Sequence, residues 1–159
     1  MKTASIHELK QELSGLGAPQ LEALCLRLAK FKKENKELLT YLLFEGHDQA
    51  GYIQSVKQLM DEQFAVVNAS SLFLAKKTIR KVLRTANKYV RFSGSKLVEV
   101  ELLLHFCRIL QESGIPFQKS PALANLNKNQ VGKVRMALGT LHEDLQYEYA
   151  KELAALLDG

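Results

Sequence analysis

Apolar residues recur three and four positions apart along most of this chain, which is the spacing of one buried helix face. No stretch alternates with a period of two, and no Asn-Gly or Asp-Gly hairpin turn separates such stretches, so no strand is predicted. Ser5 and Glu8 stand as a capping box before a short helix ending near Leu13. Pro19 suits a first helical position, and Leu21, Leu24, Cys25, Leu28 and Phe31 form the next stripe expected to be buried. Leu38, Leu39, Leu42 and Leu43 continue the helical pattern. Gly46 is placed to close it as a left-handed cap, and Asp48 to cap the helix that follows. Tyr52, Ile53, Val56, Leu59, Met60, Phe64 and Val67 mark that helix, and Ser70 or Ser71 can start the next.

The following stretch, LFLAKKTIRKVLRTANKYVR, organises the rest. Around a helix axis, Leu72, Ala75, Ile79, Val82, Leu83, Ala86, Tyr89 and Val90 fall on one side. Lys76, Lys77, Arg80, Lys81, Arg84, Lys88 and Arg91 fall on the other. No Asp or Glu occurs between Gln63 and Val98, so the row lacks the neighbouring acids that usually temper such a face. With Tyr89 on the apolar side, the row carries no aromatic ring for stacking on bases.

After Ser93-Gly94-Ser95, the segment from Leu97 to Leu110 is apolar on nearly every side and reads as the central buried helix. Ser113, Gly114 and Pro116 stop it, and Ser120-Pro121 restarts a short helical piece. A pattern from Lys128 to Leu157 then sets Val131, Val134, Leu138, Leu141 and Leu145 close to a coiled-coil seam. Unbroken, it would span about 45 Å, so it either breaks near Gly139 or projects. Gly132 and Gly139, seven apart, are candidates for close helix packing or for a dimer seam. The fold class expected is all-α: one domain over 1–159, with six or seven helices. Antiparallel hairpins would pack as an orthogonal or superhelical bundle around the 97–110 helix.

Composition leaves that picture intact. The chain has 159 residues, 47% hydrophobic and 25% charged, ordinary for a folded domain. The formal net charge of +5 is modest but concentrated. Cys25 and Cys107 both lie on apolar faces without metal-ligand spacing, so two buried thiols in a reducing cytoplasm are expected. The opening MKTASIHELKQEL lacks a secretory core, and no apolar run is long enough to span a membrane.

Candidate chemistry is sparse. Glu45, His47 and Asp48 meet in one turn, but Asp48 is already explained as a cap. Glu101, His105 and Arg108 draw one polar stripe along the apolar central helix, where Glu101 could orient His105 as a base. That stripe must be mutually paired if buried. Ser93 to Lys96 lacks the spacing of a phosphate loop, and no metal or cofactor motif occurs, so neither is expected. Glu143, Asp144, Glu148 and Glu152 give the C-terminal helix an acidic side able to neutralise the cation row. The leading functional expectation is therefore a non-catalytic helical interaction module whose partner is a protein or itself. The alternative is a nucleic-acid backbone bound by the basic face, and the third is a small enzyme near His105.

Overall fold

A computed structural model describes residues 1–158. All regular structure among them is helical. Eight α-helices follow in order: α1 Ile6–Ser14, α2 Ala18–Phe31, α3 Lys33–Thr40, α4 Gln49–Phe64, α5 Leu72–Ser93, α6 Lys96–Glu112, α7 Pro121–Leu138 and α8 Glu143–Asp158. A π-helical turn, Tyr41–Glu45, continues α3, and a 3-10 turn, Phe117–Lys119, precedes α7. Where the sequence suggested one domain, the chain gathers into two compact units, Met1–Phe44 and Glu45–Gly159.

In the first unit, Ser5 and Glu8 cap α1 as expected: the Ser5 N–H donates to Glu8 Oε2 at 2.7 Å. Lys32, in extended conformation, breaks the chain between α2 and α3, which pack together. The Asn35 amide ties that corner by donating to the Leu28 carbonyl at 2.9 Å. No residue of α1, α2, α3 or the π turn is buried. The stripe expected to be covered is not: Leu24, Cys25, Leu28 and Phe31 are exposed, Phe31 by 85%. The reason is size, because a segment this short cannot enclose a core of its own.

The second unit has that core. Asp48 caps α4 by accepting from the Gly51 N–H at 3.0 Å. A Cβ at position 51 would lie 2.2 Å from the Asp48 carboxylate, so the cap depends on glycine there. Gly46 does not take the left-handed conformation expected of it. Among the described residues only Gly94 (φ 60°) and Gly114 (φ 74°) do, ending α5 and the turn after α6. Ser71 caps α5, Ser95 caps α6 and Ser120 caps α7.

Helix α6 packs against α4, α5, α7 and α8. Its Val98, Val100, Leu102, Leu103, Leu104, Phe106 and Leu110 are buried, each large side chain stabilising by roughly 1.5–3 kcal/mol. The short piece expected after Pro121 and the long C-terminal pattern divide differently: α7 runs through to Leu138, and the break falls at 139–142. The seam-like Val131, Val134 and Leu138 are buried in the unit's own core.

Candidate functional site

Helix α5 separates its two faces cleanly. Ala75, Ile79, Val82, Leu83 and Ala86 are buried, and they fix the helix on the core. Lys77, Arg80, Lys81, Arg84 and Arg91 are exposed, with Lys76 and Lys88 partly so. The helix begins on Ser71, whose Oγ accepts from the Phe73 and Leu74 N–H groups, and it ends on Gly94. Because both ends are fixed, the cations form a row whose spacing follows the helix itself, about 1.5 Å of rise per residue.

The electrostatics of this row are one-sided. Among the described residues, Lys76, Lys77, Arg80, Lys81 and Arg84 have no carboxylate within ion-pair distance. Lys88 lies 5.0 Å over the Tyr89 ring, and Lys88 and Arg91 have further partners of their own. The acids of α8 do not supply the missing counter-charge. Helix α8 rests on α6 and α7, Glu152 pairs with Arg108, and Asp144 pairs with His142 at 3.5 Å. Glu143 and Glu148 make no ion pair among the described residues.

The polar stripe of α6 is the opposite case. Lys57 of α4 donates to Glu101 at 2.5 Å, and the Tyr149 hydroxyl of α8 donates to the other Glu101 oxygen. Arg108 pairs with Glu152, and His105 Nε2 meets Asp61 of α4 at 2.8 Å. Burial alone would raise the Glu101 pKa. The hydrogen bonds from Lys57 and Tyr149 and the charges of Lys57 and Arg108 outweigh it, holding the carboxyl below its usual range. Burial, then the neighbouring Glu101, pushes the Tyr149 phenol well above its usual value.

The stripe borders an open polar cleft of about 600 Å³ lined by Lys57, Asp61, His105 and Arg108. Each of these four already holds an opposite partner. Glu101, His105 and Arg108 thus tie α6 to α4 and α8, as a partly buried charged stripe must be tied.

The remaining candidates stay apart. At the 45–48 turn, Asp48 is used as a cap, and among the described residues no cluster of His, Cys, Asp and Glu could hold a metal ion. A Cβ at Gly132 would meet nothing within 4 Å, and one at Gly139 only carbonyls of its own helix. Neither glycine therefore marks a close approach between helices of this chain. Gly132 lines a shallow groove with Phe117, Val131 and Leu156.

Of the two thiols, Cys107 is buried and its pKa is pushed up to about 12 by that burial. Cys25 is exposed, contrary to expectation, because its unit has no interior.

One residue on the basic face escaped the sequence reading. Phe73 is 81% exposed. It has no aromatic partner among the described residues. Its signal was available: position 73 precedes Arg80 by seven residues and Arg84 by eleven, which puts all three on one line. No helix of the described residues is long and apolar enough to cross a membrane. No family model matches the chain, nor does any curated protein or solved structure, so these surfaces are read from their own chemistry.

Proposed function

We propose that this protein is a non-catalytic helical interaction module that binds the phosphate backbone of a nucleic acid along the outer face of α5. The observation that carries this reading is the set of five cations, Lys76, Lys77, Arg80, Lys81 and Arg84, without a carboxylate partner among the described residues. Like charges held this close repel one another, and a polyanion relieves that repulsion while releasing its own counterions. The row sits on a helix anchored by its buried face, so little order remains to be imposed on binding.

Binding is tested by fluorescence anisotropy with a labelled duplex at increasing salt. Five phosphate contacts give a slope of log affinity against log salt of about −4 to −5. The paired variant Arg80→Glu, Arg84→Glu abolishes binding and leaves the thermal unfolding curve in place. Unchanged affinity in that variant rejects the reading.

A second reading, a protein partner or a second copy, is favoured by the N-terminal unit. Leu26, Ala29, Leu39, Leu43 and Phe44 line an open groove of about 640 Å³ edged by Lys30, Lys33 and Lys36. Uncovered apolar surface of this kind is how docking faces look before they are occupied. An acidic amphipathic helix complements both its floor and its edge. Light scattering tests the self-association form: Leu43→Asp shifts an oligomer to monomer, whereas a wild-type chain that is monomeric at high concentration removes it.

A further inference from the structure

The exposed face of α5 is more than a row of charge, because one large apolar ring stands in it. At about 100° per residue, Phe73, Arg80 and Arg84 fall within roughly 40° of one another around the axis. Arg80 and Arg84 lie about 10 Å and 16 Å further along the helix than Phe73. Phe73 is 81% exposed and Leu74 beside it is also exposed, while the neighbouring Ala75 is fully buried. The ring therefore contributes almost nothing to the core, and its exposure costs free energy with no return within the fold. An aromatic ring in line with guanidinium groups is the pairing that single strands require: stacking for an unpaired base and positive charge for the adjoining phosphates.

We infer that the N-terminal half of this face is a single-stranded nucleic-acid site, with Phe73 stacking on a base while Arg80 and Arg84 hold phosphates. The inference rests on the phosphate-binding reading above and names the form of polyanion. In a duplex the bases are already stacked on each other and the ring has no face to meet. A membrane surface fits less well. A helix lying on lipid buries a broad apolar face, and here that face is spent on the core, leaving a ring among cations.

The chain contains no tryptophan, so Phe73→Trp installs a sole indole reporter. The experiment titrates that variant, and in parallel the wild type and Phe73→Ala, with a short oligothymidylate, a duplex of equal length and phosphatidylserine vesicles. Expected are quenching of the indole by the single strand, and a loss of single-strand affinity of about fivefold or more in Phe73→Ala. The salt slope and the duplex affinity of Phe73→Ala stay those of the wild type, since stacking exchanges no ions. A general weakening through misfolding would instead lower both affinities together, and unchanged thermal unfolding excludes it.

Equal affinities of wild type and Phe73→Ala for the single strand overturn the single-strand site and leave phosphate binding standing. An absence of binding to either nucleic acid at low salt overturns both. A blue shift with vesicles and no response to oligonucleotides overturns both in favour of an anionic membrane surface.

Discussion

Helices α5 and α6 are neighbours in sequence and in space, and each carries charge on an otherwise apolar framework, yet they dispose of it in opposite ways. The polar groups of α6 are drawn into a network with α4 and α8: Glu101 with Lys57 and Tyr149, Arg108 with Glu152, His105 with Asp61. The outer cations of α5, Lys76 through Arg84, meet no acid among the described residues. Charge at a helix–helix junction has to be matched for the helices to pack at all, because an unmatched buried ion is severely destabilising. Charge facing water has no such obligation, so its arrangement is left available for a partner. The same residue types thus report stability in one helix and recognition in the other.

Substitutions should separate the two regions. The largest expected effect on stability is at Glu101. Its removal in Glu101→Ala leaves Lys57, only 16% exposed, without its counter-ion. A loss of about 2–4 kcal/mol is expected, read as a lowered urea midpoint. Charge reversal on the ridge, Arg80→Glu with Arg84→Glu, should change the same midpoint by no more than about 0.5 kcal/mol. If the ridge variant destabilises as much as Glu101→Ala, the contrast between the helices is lost.

Acid should expose the network next. Glu101 has a folded pKa below its usual value, so its contribution is complete above the ordinary carboxylate pKa of about 4.3. It is lost as pH falls through the depressed value. Urea midpoints of the wild type should therefore fall on acidification more steeply than those of Glu101→Gln. Parallel profiles would show that Glu101 gains nothing from its partners.

The smallest effect sharpens a further contrast between the two units. Cys25 is exposed and Cys107 is buried with its thiol pushed up to about 12. A thiol reagent should modify Cys25 in the native protein, and Cys107 only as the chain unfolds. Simultaneous modification of both would remove the distinction.

What the sequence made legible was mostly local. Caps at Ser5, Asp48, Ser71, Ser95 and Ser120, and the glycine stop at Gly94, follow from residue chemistry within a few positions. The two faces of α5 and the central place of α6 follow from periodicity, since burial is a property of a whole face. Phe31 and Cys25 misled because amphipathic spacing says which face is apolar and not whether anything covers it. The destination of the α8 acids was likewise out of reach: Glu152 and Tyr149 reach α6 only once the break at 139–142 has turned the chain. Phe73 was missed for a simpler reason, since a large apolar residue beside Leu72 and Leu74 reads as core until its angle is set against Arg80.

The central claim is that the α5 cations, and no others, meet phosphate. The most direct test measures the salt slope of oligonucleotide binding as Lys77, Arg80, Lys81 and Arg84 are neutralised to Gln one after another, with Lys30→Gln and Lys36→Gln as the contrast. The account predicts a slope shallower by about 0.7–0.9 for each ridge residue removed and no change for the two hairpin lysines. A slope indifferent to the ridge, or one that follows Lys30 and Lys36 instead, would contradict it.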